Sequence, residues 1–124
     1  MSYFYYFRHP QNLVIVDLSK VIMELNIIKK PEECTKKEDV RAEIDRIDRK
    51  IIDLFALRFE YVKAIVQFKK DKNSVVAQDR KDHVIQERAV WAKDLGLDED
   101  TFASIYKILI DSNIKKELEL LSKK

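Results

Sequence analysis

Arg58 and Lys69 stand eleven positions apart in a stretch whose apolar residues recur at helical spacing. On an α-helix that separation brings two side chains within about 20° of each other, roughly 16 Å apart along the axis. Both then point along the stripe of Val40, Ile47, Ile51 and Ile65. A cation left unpaired among apolar side chains costs several kcal/mol, so each needs a partner. The two long side chains could lean together and grip one small anion. Alternatively, each could pair with a carboxylate from another helix or snorkel out at an edge. Periodicity alone leaves both open.

A second polar anomaly lies later in the chain. Asn113 and Glu117, four residues apart, share a helical face with Leu109 and Leu120. Glu117 is a structural partner for one of those cations, a residue at a solvated edge, or the polar end of the same pocket, kept protonated by desolvation. Arg41 precedes Arg58 by seventeen residues, about 25 Å along a helix and rotated by about 100°. No side chain spans that distance, so Arg41 cannot meet its own Arg58 on a small ligand. An antiparallel partner's Arg41 could; the plainer reading is a surface arginine near a helix start.

Other chemistries find little support. His9 and His83 are far apart and Cys34 is the single cysteine, so no metal-ligand spacing and no intramolecular disulfide is expected. No metal or cofactor is called for, and a lone cysteine suits a reducing cytoplasm. With 24 basic and 22 acidic residues, net charge is +2, too balanced to suggest nucleic acid. No run of about 18 uncharged apolar residues occurs, so no membrane span is expected, and the start of the chain lacks a signal-peptide pattern.

The elements that must position these residues are helical. The 124 residues suit one domain and include one glycine and two prolines. That is well below the roughly 7% and 5% of an average protein, too few for the turns of a sheet fold. Hydrophobic residues at 46% and charged residues at 37% fit amphipathic helices with a solvated outer face. A first long helix is expected at about 37–70, started by Thr35 or by Glu38 and Asp39, with Glu43, Arg46 and Arg49 facing outward. About 30 residues would span about 45 Å, too long to bury its stripe within one small protomer, so it needs a partner. Asp71-Lys72-Asn73-Ser74 should break the pattern. A shorter helix follows at about 79–93, with Val84, Ile85, Trp91 and Ala92 apolar, and Gly96 marks its end. Asp98 caps a third helix reaching about Leu121. The first 30 residues read differently: an aromatic cluster from Tyr3 to Phe7, an apolar run from Leu13 to Val16, and a short helix that Ser19 could cap. They form an extension of unknown role, packed on the body or partly disordered.

The stretch PEECTKKEDVRAEIDRIDRKIIDLFALRFEYVKAIVQFK, Pro31 to Lys69, resembles the first helix of the all-helical chorismate mutases, most of all their isochorismate pyruvate-lyase branch. The segment ERAVWAKDLGLDEDTFASIYKILI, Glu87 to Ile110, resembles the passage from their second to their third helix. The R-x-x-I-D-x-I-D start, the arginine and the terminal F-K make the resemblance specific, and it covers about residues 31–121. It implies an all-α fold with three helices per protomer, long, short and medium, in an intertwined six-helix homodimer. It also implies that Arg41, lent across the dimer, joins Arg58 and Lys69 as the cations that bind a dicarboxylate, chorismate or isochorismate. The arginine forks suit the carboxylates, and Lys69 would donate to the ether oxygen as its C–O bond breaks.

Two departures from the family pattern matter. Glu117 aligns where many members carry glutamine beside the ether oxygen, and an ionised carboxylate there would repel the developing charge. At the start of the second helix, mutases carry an arginine–glutamate pair that binds a carboxylate and the ring hydroxyl. Here Lys81-Asp82 takes that place, shorter and less rigid, or a pair of surface charges. The lyase branch is more apolar at this point, so the first motif leans toward the lyase and Lys81-Asp82 toward the mutase. Asn113 lies near a family position with a small polar residue. The expectation is a chorismate mutase forming prephenate, with isochorismate pyruvate lyase as the alternative. A non-catalytic helical dimer that binds a small dicarboxylate is the rival of another kind.

Overall fold

A computed structural model of the chain describes the backbone of residues 4–8 and 13–124, and side chains from residue 17 onward. The element order is β1 (Phe4–Arg8), β2 (Leu13–Asp17), α1 (Ser19–Glu24), a 3-10 turn (Pro31–Glu33), α2 (Lys37–Ile65), a second 3-10 turn (Val66–Phe68), α3 (Lys72–Val76), α4 (Gln78–Asp94) and α5 (Glu99–Leu121). From Pro31 on, every regular element is helical, as the glycine-poor composition demands. No helix among the described residues is long and apolar enough to cross a membrane.

The chain divides into two units, residues 1–57 and 58–124. In the first, β1 and β2 pair antiparallel, with Phe4 opposite Asp17 and Arg8 opposite Leu13. The aromatic cluster, apart from Tyr3, which lies outside the described residues, and the apolar run are therefore the arms of a hairpin. Ser19 does not cap α1 but begins it, and the Asp17 carboxylate accepts the Ser19 N–H at 2.9 Å. The start of α2 is stapled by its own upstream chain. Thr35 donates its N–H and its hydroxyl to Asp39, and Lys29 bridges to the same carboxylate at 3.2 Å. Glu43, expected on the solvated face, is instead buried. It accepts the Lys29 N–H at 3.1 Å and the Arg46 guanidinium at 2.6 Å, so local partners rather than periodicity decide its environment.

In the second unit, helix boundaries follow caps that are legible in sequence. Asp98 accepts the Thr101 N–H at 2.9 Å and opens α5. Gly96, at φ 80°, lets Leu97 N–H return to Ala92 O and Gly96 N–H to Lys93 O, which satisfies the last carbonyls of α4. The segment 71–74, expected to be a break, is instead a helix start. The Asp71 side chain accepts the Ser74 N–H at 2.8 Å while Ser74 Oγ accepts the Asp71 N–H at 3.2 Å, and this box nucleates the five-residue α3. Ala77 joins α3 to α4 with φ 39°, a left-handed conformation that costs a residue with a Cβ about 1–2 kcal/mol.

The core of this unit is small: Val66, Val75, Val84, Ala89 and Ala92. Trp91, read as apolar-facing, is instead 54% exposed, with the Arg88 guanidinium stacked 4.3 Å from its ring centre. Along α2 the stripe itself stays open: Val40, Ile44, Ile51 and Leu54 are each at least 41% exposed.

Candidate active site

The second unit holds a cavity of about 380 Å³ whose wall gathers the anomalous polar residues into one place. Arg58 reaches it from α2 and Lys69 from the turn that follows. Lys81 and Arg88 reach it from α4, and Asn113 and Glu117 from α5. Val62, Ile65, Val84 and Ile110 supply its apolar wall. A space of this size suits a small molecule.

Lys69 arrives by a different route from the one periodicity gave. Helix α2 ends at Ile65 and tightens into a 3-10 turn, and Lys69 is extended at φ −94° and ψ 139°. The eleven-residue α-helical register therefore does not carry through. A carbonyl aims the side chain instead: Lys69 Nζ donates to Ser74 O at 2.7 Å, and the Asp71–Ser74 box holds that carbonyl in place. Among the described residues Arg58 makes no hydrogen bond or ion pair, and the carboxyl its charge acts on is that of Glu117.

Lys81 stands differently. Its ammonium pairs with Asp111 of α5 at 2.5 Å, and this contact holds the Asp111 carboxyl below the usual carboxylate range. Asp82 does not line the cavity. One residue further round α4 is a rotation of about 100°, and that places Asp82 on the exposed side, accepting from Gln78 at 2.8 Å. Of the expected pair, the lysine alone faces inward. Arg41 is exposed and belongs to the first unit.

Asn113 and Glu117 are each only 8% exposed, and neither side chain bonds to another described residue. Burial pushes the Glu117 carboxyl up from its ordinary value, while the nearby charges of Lys69 and Arg58 pull it back. Glu117 is thus a carboxyl inclined to keep its proton, facing cations that carry no other carboxylate. It can donate a hydrogen bond where an ionised acid could only accept one.

Arg80 and Arg88 also line the cavity and were not singled out from sequence. Arg88 is shared with Glu87, which it contacts closely, and with Trp91; Arg80 is exposed. For Arg88 the signal was present: from Ala77 at the cap of α4, Lys81, Val84 and Arg88 follow at i+4, i+7 and i+11 on one face.

Arg58, Lys69 and Lys81 thus stand around a buried glutamate in one cavity of a helical chain. The chain belongs to the chorismate mutase type II family, whose sequence profile matches residues 40–118. It is also 40% identical, over 92 residues, to the isochorismate pyruvate lyase of Pseudomonas aeruginosa, an alignment that covers 71% of this chain and 91% of that protein. It is therefore an enzyme of the group formed by chorismate mutases and isochorismate pyruvate lyases.

Proposed function

We propose that this chain converts chorismate to prephenate by a [3,3] rearrangement, in the cytoplasm and without metal or cofactor. The observation that carries this reading is the single cavity where Arg58 and Lys69 face a buried Glu117 with no permanent carboxylate partner. Chorismate brings two carboxylates and an ether oxygen. The Arg58 fork takes one carboxylate in bidentate fashion. Lys69, and Glu117 in its protonated form, donate to the ether oxygen, where negative charge grows as the C–O bond lengthens. The reaction needs no nucleophile and moves no proton. Catalysis rests on holding a compact, reactive conformer and on donors already aimed at the charge that develops. Lys81 and Asn113 bind the remaining polar groups of the substrate; Asp82, on the outer side of α4, would have to turn inward to serve the ring hydroxyl.

The catalytic body is residues 31–124, with residues 1–30 as an extension. It works as an intertwined homodimer in which the partner subunit lends Arg41. The open apolar stripe of α2 supports this, because a patch of that kind ordinarily marks a buried interface. Refolding inactive Arg41→Ala chains together with inactive Lys69→Ala chains should restore about a quarter of wild-type activity, since random pairing gives half heterodimers with one intact site each. Recovery of no activity would place both residues in the same chain's site, or remove Arg41 from it.

The 40% identity to a named lyase supports a second reading, release of pyruvate from isochorismate with formation of salicylate. The two are separated by supplying purified protein with chorismate and then isochorismate, following prephenate, salicylate and pyruvate. Prephenate as the dominant product is the expected result, and salicylate as the dominant product would reassign the chain. If neither product forms but a dicarboxylate still raises the melting temperature, the cavity serves binding alone.

A further inference from the structure

Lys124 follows the end of α5, yet its ammonium is bound to the turn that leads to Lys69. Lys124 Nζ donates to Val66 O at 3.1 Å, to Lys69 O at 3.1 Å and to Gln67 O at 3.4 Å. The last carbonyls of a helix carry partial negative charge, and Val66 O, which accepts the Lys69 N–H at 3.0 Å, keeps a second lone pair. An ammonium has three N–H donors, and here all three are directed to carbonyls of one four-residue turn. That turn is where α2 tightens to 3-10 geometry and the chain swings to an extended Lys69. Lys69 is then gripped twice: its ammonium by Ser74 O and its backbone by Lys124.

We infer that Lys124 is a positioning residue, which fixes the 66–69 turn so that Lys69 enters the cavity in one orientation. The inference rests on the role proposed above for Lys69, and it adds a residue more than fifty positions away in sequence. The chemistry required is a cation with several donors at this point, not a particular side chain. Arginine should serve nearly as well, and a neutral residue should not.

The test compares Lys124→Ala, Lys124→Arg and Lys124→Gln, each alone and with Lys69→Ala. A 1 Å misplacement of a catalytic group can cost about 100-fold, so partial loosening in Lys124→Ala should lower kcat on the order of tenfold with a smaller change in KM. Lys124→Arg should recover most of that loss and Lys124→Gln should not. In the Lys69→Ala background, Lys124→Ala should cost nothing more, because its effect runs through Lys69 alone. A kcat unchanged in Lys124→Ala, or the same factor lost in both backgrounds, would overturn the inference. Should Lys124→Ala unfold, the arginine and glutamine variants give the same comparison, and equal kcat in those two overturns it. Wild-type protein inactive on both substrates would instead refute the proposed function. The side-chain amine resonance of Lys69 then decides the positioning claim: a single sharp signal that broadens or splits in Lys124→Gln upholds it, and an unchanged one ends it.

Discussion

Lys69→Ala is expected to lower kcat by about 100- to 1,000-fold, the loss that follows removal of one preorganised donor at a developing oxyanion. KM should move much less, because the ether oxygen becomes strongly negative only as its bond to carbon breaks. The ammonium costs little reorganisation when that happens. It is already anchored to Ser74 O at 2.7 Å, on a turn closed by the Asp71–Ser74 box. The expectation holds for either reading of the activity, since rearrangement and pyruvate release both break a C–O bond of the same kind of substrate. Single-turnover rates for wild type and variant give the measurement. A Lys69→Ala enzyme within a few-fold of wild type would remove the lysine from the transition state, and the cationic cavity would then explain binding only.

The second large effect concerns pH. Glu117 serves as a donor only while protonated, and burial raises its carboxyl above the ordinary range against the pull of Lys69 and Arg58. Activity should be level at pH values below the Glu117 pKa and fall about tenfold for each unit above it. Substrate carboxylates entering the cavity should raise that pKa further, so kcat should hold to higher pH than kcat/KM. Glu117→Gln donates at every pH and should flatten the profile, with its advantage over wild type growing steadily in the alkaline range. An unaltered profile in that variant would take Glu117 out of the mechanism. Stability follows the same sign. The folded chain holds this proton more tightly than the unfolded one, so the contribution is full below the unfolded value and is lost as pH rises through the folded value. The glutamine variant should lose that slope as well.

The helical class, the limits of α4 and α5, and the residues worth testing were legible because each has a local cause. Asp98 and Gly96 announce a helix start and a helix end through hydrogen bonds made within a few residues. Glu117 and Asn113 share a face by being four apart, and their conflict with apolar neighbours marked them before any neighbour was known. Where local bonds competed with a simple pattern, periodicity misled. Glu43 is buried by Lys29 and Arg46, the 71–74 segment forms α3 rather than a break, and Asp17 rather than Ser19 accepts at the start of α1.

What only the tertiary structure decided is which faces meet. Periodicity gives a side chain's angle about its own helix axis, but not the neighbour that face will find. The meeting of Arg58 from α2, Lys81 from α4 and Glu117 from α5 in one cavity, and the inclusion of Arg80 and Arg88, depend on how these elements pack. Lys69 shows the division most clearly. Its identity as a cation beside an apolar stripe was plain from the order of residues. Its aim comes from a carbonyl five residues later and an ammonium fifty-five residues later, and such distant contacts exist only once the chain has closed on itself.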